Sequence, residues 1–250
     1  MADNTIITAA VLVIGDEILS GRTKDTNSGY IAEFLTNIGI DLKEIRVVSD
    51  DMDVIVDAVR ALSSQYTYVF STGGIGPTHD DITADAMATA FEVGIEHNKD
   101  AIAIMLAKYP EGVELNEARM RMARIPLGAS LILNKVSAPP GFNIGNVYVM
   151  AGVPSVMRAM LDEVGPTLSV GEVVHSRTLP FYKGEGTIAA GLGALQARYD
   201  DISIGSYPMK RDGRFMTNIV MRGRDEARLA DAEKAVAILI EELGGTTPDE

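Results

Sequence analysis

The residues best suited to chemistry lie in one stretch, Ser71-Thr72-Gly73-Gly74-Ile75-Gly76-Pro77-Thr78-His79-Asp80-Asp81, a glycine-rich loop that ends in two carboxylates. Gly73, Gly74 and Gly76 carry no Cβ, so the backbone can turn sharply and bring its N–H groups close to a ligand. A helix that starts just beyond such a loop adds unpaired N–H groups and the positive end of a dipole, and both suit a phosphate. Carboxylates do not bind phosphate directly. Asp80 and Asp81 make sense beside an anion if a divalent cation lies between them and the phosphate oxygens. The expectation is a metal-phosphate site at the end of a strand. An ordinary strand-to-helix turn is also glycine-rich, however, and Asp ahead of a helix is often only its cap.

The flanking segments place this loop. Tyr66 to Phe70 is β-branched and aromatic and reads as a buried strand, and Thr83 to Ala90 reads as a helix. Upstream, Ala9 to Ile14 is a continuous apolar run that fits a strand buried on both faces. It feeds a second loop, Gly15-Asp16-Glu17-Ile18-Leu19-Ser20-Gly21. A helix with Tyr30, Ile31, Phe34, Leu35 and Ile38 then ends at Gly39, and Leu42 to Val48 is the next strand. Asp50 or Asp51 can cap a helix carrying Met52, Ile55, Val56, Val59 and Leu62. The alternation calls for an α/β fold with a mainly parallel sheet covered on both faces.

Downstream, Asn98 can cap a helix through Lys108, and Asn116 another that runs through Met122 and Ala123 up to Pro126. Leu131 to Leu133 and Asn146 to Met150 read as strands joined by a rigid loop from Ser137 to Phe142. The last strand delivers Ala151-Gly152-Val153-Pro154 to a helix with Pro154 in its first turn, a further edge able to face a ligand. Asp85 is expected to serve the N-terminus of its helix. His79 is expected to shape the loop. The expected domains are 1–168, an α/β sandwich, and 169–245, a small α+β module with strand 175–181, helix 187–199, a hairpin turning at Asp212-Gly213 and helix 225–243, before a mobile tail at 246–250.

A formal net charge of −13 argues against non-specific binding to nucleic acid or to an anionic membrane. With no cysteine there is no disulfide, thiolate nucleophile or Cys-ligated zinc, and the three histidines share no metal-ligand spacing. The apolar start is too short to span a bilayer, so a cytoplasmic location is expected.

Thr-Gly-Gly-Ile-Gly-Pro-Thr-His-Asp-Asp at 72–81 resembles the signature of the MoaB/Mog-like family of molybdenum-cofactor biosynthesis, and the variant with Gly-Pro-Thr and two Asp is similar to its CinA (competence/damage-inducible protein A) branch. Gly15 to Gly21 with Asp25-Thr26-Asn27-Ser28, Pro139-Pro140-Gly141-Phe142 and Ser176-Arg177-Thr178-Leu179 extend the likeness over nearly all the chain. The loop Ala151-Gly152-Val153-Pro154 departs from the family's Pro-Gly-Pro-Pro. The chain also stops before the nicotinamide-nucleotide deamidase domain of longer members, and that activity is not carried over.

The resemblance implies a three-layer α/β sandwich followed by a KH-like α+β module. Lys183-Gly184-Glu185-Gly186 is not the Gly-Xaa-Xaa-Gly of RNA-binding KH modules, so a structural or dimerising role is expected. It also implies a metal-associated role for Asp81, with Asp80 beside it, and places a divalent cation (Mg²⁺, Mn²⁺ or Co²⁺) at the site. Asp16 or Glu17 would assist the metal or orient water, and each also reads as an exposed loop acid. Gly73, Gly74, Gly76, Thr78, Ser20, Asn27 and Gly152 are candidate ligand contacts, although Ser20 also reads as a turn residue and Asn27 as a helix cap. The implied function is metal-dependent pyrophosphatase activity on ADP-ribose- or FAD-like dinucleotides. The alternatives are a molybdopterin-binding or adenylylating protein, or a catalytically silent sensor or scaffold. The expected partner is a small phosphate-containing ligand, and family members are commonly homo-oligomers.

Overall fold

The computed structural model describes residues 6–110, 112–211 and 214–247. Its chain divides into two compact units, Met1–Gly171 and Glu172–Glu250.

In the first unit the elements run β1 (Thr8–Ile14), α1 (Asp16–Leu19), α2 (Asn27–Asn37), β2 (Asp41–Val48), α3 (Met52–Gln65), β3 (Tyr68–Thr72) and α4 (Thr83–Ala90). They continue with β4 (Ile95–His97), α5 (Lys99–Lys108), α6 (Glu117–Arg121), β5 (Arg124–Pro126), β6 (Ser130–Ile132), β7 (Gly141–Ile144), β8 (Val147–Met150) and α7 (Pro154–Val164). The main sheet has the order β2-β1-β3-β8-β7-β6; β2, β1, β3 and β8 pair in parallel, while β7 and β6 add antiparallel. Side chains alternate across a strand, so β1 alone shows the layering. Ala10, Leu12 and Ile14 pack with Ile55, Val59 and Leu62 of α3 and Met87 of α4. Ala9, Val11 and Val13 pack with Ile31 and Leu35 of α2 and Met157, Met160 and Leu161 of α7. A sheet buried on both faces needs an unbroken apolar run, which Ala9 to Ile14 supplies.

Several local expectations shift. The loop from Gly15 to Gly21 contains one helical turn, α1. β3 lies two residues later than Tyr66 to Phe70, because Tyr66 still closes α3 by donating to Leu62 O at 3.0 Å. Parallel register with β1 instead runs from Ala9 opposite Tyr68 to Val13 opposite Thr72. α6 ends at Arg121 rather than continuing to Pro126, since Arg124 to Pro126 is drawn into antiparallel pairing with β4. Gly141 and Phe142, expected in a connecting loop, open β7, which pairs with β8.

The second unit contains β9 (His175–Phe181), α8 (Glu185–Arg198), β10 (Ser203–Arg211), β11 (Arg214–Gly223) and α9 (Glu226–Glu242), with an antiparallel sheet of order β10-β11-β9. Ile188 and Leu192 of α8 and Leu229, Val236 and Ile240 of α9 close its core over Phe181, Ile219 and Met221. The Asp212-Gly213 turn and the tail from Pro248 lie outside the described residues. Ser169 N–H donates to Tyr68 Oη at 2.9 Å and Gly171 N–H to Ile38 O at 3.2 Å, which ties residues 169–171 to the first unit. Among the described residues no helix is long and apolar enough to cross a membrane.

Candidate functional site

Parallel strands send their following loops to one sheet end, so β1, β2, β3 and β8 bring the segments beginning at Gly15, Ser49, Gly73 and Ala151 together. The loop after β3 is the most constrained. Gly73 and Gly74 have φ of +103° and +64°, a region that side chains rarely adopt. A Cβ on Gly73 would stand 2.1 Å from Ile14 O, and one on Gly74 2.1 Å from Thr83 Oγ1. Thr83, fully buried at the start of α4, straps the turn: its hydroxyl donates to Gly73 O at 3.1 Å and its N–H to Gly74 O at 3.0 Å.

This geometry decides which amides are free. Gly73, whose amide the sequence offered to a phosphate, donates it to Met150 O at 3.2 Å, so its part is to allow the turn and not to bind. Among the described residues the N–H groups of Gly74, Ile75 and Gly76 have no acceptor. Three successive amides are thus left for an acceptor from outside the described residues.

Thr78 is committed to Asp81. Its N–H donates to Asp81 Oδ2 at 2.8 Å and its hydroxyl to the same oxygen at 2.5 Å, and a Cβ on Gly76 would meet that oxygen at 2.7 Å. Asp81 therefore folds back over the glycine turn, and Ile82 stands at the N-cap of α4 with no side-chain cap. The Asp80 carboxyl is held below the usual range by the neighbouring Thr78 hydroxyl, its own backbone amide and the charge of His79. The His79 side chain is 96% exposed, and its Nδ1 lies 3.9 Å from Asp80 Oδ1.

The two consecutive acids face different company. Asp81 lines a narrow cleft with Gly74, Gly76, Asp85, Arg121 and Arg124. Asp80 instead belongs electrostatically with Asp16, Glu17 and Asp50: burial pushes the Asp50 carboxyl up against the pull of the Asp16 N–H, and the charges of Asp16, Glu17 and Asp80 add to the rise. Asp51, not Asp50, caps α3, accepting from Asp53 and Val54 N–H at 3.1 Å each. Asp50 turns the other way and accepts Asp16 N–H at 2.9 Å. Asp85, expected to serve its helix terminus, is held by both terminal nitrogens of Arg124 at 2.5 and 2.9 Å. Arg121, Arg124 and Asp50 were not among the site candidates.

Ser20 is exposed and its hydroxyl donates to Glu17 O at 3.3 Å, a turn contact. Asn27 does not cap α2; Asp25 Oδ1 takes the N–H groups of Asn27 and Ser28 at 2.9 and 3.2 Å. Asn27 Nδ2 donates to Gly152 O at 2.8 Å, and a Cβ on Gly152 would lie 3.4 Å from Gly73 Cα. Asn27 and Gly152 thus brace the glycine loop from a second side.

Among the described residues no three His, Asp or Glu side chains are placed to hold a metal ion together. The four acids proposed as a set, Asp81, Asp80, Asp16 and Glu17, do not form a closed cage. The donors do suit a hard cation bound by one or two carboxylates and completed by phosphate oxygens and water, the usual manner of Mg²⁺.

A parallel-sheet sandwich whose strand ends gather around a strapped glycine turn is an α/β domain with its loops collected at one sheet end, where open α/β sheets bind ligands. The chain belongs to the family described as probable molybdopterin binding domain, which matches residues 10–170. Residues 173–244 match the FAD synthase middle domain. A protein of Caldivirga maquilingensis is 42% identical over 167 residues, an alignment spanning 65% of this chain and 65% of that protein. A protein of Caenorhabditis briggsae named probable FAD synthase is 31% identical over 94% of this chain, which spans about half (49%) of it. The crystal structure of CinA from Thermoplasma acidophilum, described as of unknown function, aligns with a TM-score of 0.61 at 36% identity, over 65% of this chain and 98% of that one.

Proposed function

We propose that this protein binds the diphosphate of an ADP-ribose- or FAD-like dinucleotide and hydrolyses it in the presence of a divalent cation. The observation that carries the reading is the run of three unengaged amides, Gly74 to Gly76, in the same cleft as the Asp81 carboxylate. The amides take the oxygens of one phosphoryl group. Asp81, fixed by Thr78, would hold the cation. When bound, that cation supplies charge neutralisation at the phosphoryl oxygens. A bond forms between the water oxygen and one phosphorus; the bond from that phosphorus to the bridging oxygen breaks. The bridging oxygen leaves on the second phosphoryl group, and the water gives up a proton to solvent. ADP-ribose would yield AMP and ribose 5-phosphate.

The test is release of AMP from ADP-ribose and from FAD by purified protein with Mg²⁺, Mn²⁺ or Co²⁺. Asp81→Asn is the control, because its amide oxygen can still accept from Thr78. The expected result is turnover that needs the cation and falls about 100-fold or more in Asp81→Asn. Turnover at the wild-type level in that variant would remove Asp81 from the mechanism. No turnover with any cation would favour a second reading, a molybdopterin ligand held by its phosphate in the same cradle, which the family's description supports.

A further inference from the structure

We infer that Arg121 is the residue by which the cleft tells a diphosphate from a monophosphate, an inference that rests on the phosphate-binding reading above. The cleft brings two arginines to the glycine turn, and they are not equivalent. Arg124 has both terminal nitrogens on the Asp85 carboxylate, so its charge is neutralised and its plane is fixed. Arg121 is half-buried, and among the described residues no carboxylate, carbonyl or ring engages it. Its neighbour two positions earlier shows the contrast: Arg119 lies 5.3 Å from the Tyr109 ring centroid and donates to Glu114 O at 2.7 Å.

A half-buried guanidinium without an anion is an unmet demand in a chain whose net charge is −13. The cleft acids, Asp81 and Asp85, do not meet it. Asp85 is taken by Arg124, and no Asp81 oxygen is within ion-pair distance of Arg121. Three amides suffice for one phosphoryl group. A second phosphoryl group would add negative charge that the cradle does not reach, and Arg121 is the unengaged cation on the same cleft. Its planar fork suits two oxygens of one phosphate. A monophosphate, whose oxygens the three amides already meet, would gain less from it.

The experiment is calorimetric binding of ADP-ribose and of AMP, with Mg²⁺, to the full chain carrying Arg121→Gln or Arg121→Lys. Loss of one charge-assisted contact should weaken ADP-ribose about 10- to 100-fold in Arg121→Gln. AMP affinity should change less than about twofold, and Arg121→Lys should recover part of the loss, keeping the charge without the fork. ADP-ribose binding by Arg121→Gln should also depend less on salt. The melting temperature should move by no more than a degree or so, because no hydrogen bond, ion pair or ring contact among the described residues is lost. Equal weakening of both ligands, unchanged ADP-ribose affinity, or a lowered melting temperature would overturn the assignment while leaving the phosphate site intact. Failure of the wild-type chain to bind either nucleotide would instead overturn the parent reading and this inference with it.

Discussion

Replacing Gly74 by Ala tests the strap that shapes the loop. Three costs combine. A side chain at φ +64° pays the left-handed penalty, about 1 kcal/mol. The new Cβ would lie 2.1 Å from Thr83 Oγ1, an overlap that must push the buried threonine aside at about 1–3 kcal/mol. Moving that hydroxyl breaks its 3.1 Å bond to Gly73 O, worth about 1 kcal/mol. The expected loss is about 3–5 kcal/mol, or roughly 6–20 °C in Tm for a domain of this size. Calorimetric melting of Gly74→Ala, Thr83→Ala and the double variant checks it. In the double variant the 2.1 Å overlap is relieved to a 3.2 Å approach to Cβ of residue 83 and the hydroxyl bond is lost only once, so its cost should fall short of the sum by about 2–4 kcal/mol. Additivity within about 0.5 kcal/mol would refute the strap as drawn. So would a Gly74→Ala variant that melts with the wild type.

Asp85→Asn breaks a two-pronged pair whose side chains are only 24% and 30% exposed, and leaves Arg124 half-buried and unpaired. It should lower stability by about 1–3 kcal/mol, seen as a fall of several degrees in Tm. Arg124→Gln should cost a similar amount and add little to Asp85→Asn in a double-mutant cycle. In the second unit the Arg228 guanidinium holds the Asp201 carboxyl below the usual range. A depressed carboxylate contributes stability that is fully present above its unfolded value, about 4, and is lost as pH falls through its folded value. Asp201→Asn should therefore melt below the wild type at pH 7. The gap should close as pH is lowered beneath about 4, and a gap independent of pH would exclude the charge as its cause.

Much of this protein was legible because its cause is local. Ala9 to Ile14 is apolar at every position, and only a strand with two covered faces uses such a run. Asn98, Asn116 and Asp51 cap the helices that follow them, since a short polar side chain can reach the N–H groups two or three residues on. The positive φ at Gly73 and Gly74 belongs to the same class, a backbone demand that only glycine meets freely. The pairing of β4 with β5 was not legible. Three-residue strands have too little periodicity to announce themselves, and their partners lie about thirty residues apart.

At the site, the sequence by itself determined that amides and carboxylates would meet at one sheet end, because parallel strands leave their loops there. Tertiary structure decided which of them are free. Gly73 donates to Met150 O, a partner 77 residues away that appears only when β3 and β8 pair. Asp80 and Asp81 are neighbours in sequence yet join different groups, because successive side chains in a turn point in different directions. Asp85 finds Arg124, and Asp50 finds Asp16, through contacts between separate elements. Residue type limits what a group can bind; the folded chain decides what it has already bound, and only the remainder is left for a ligand.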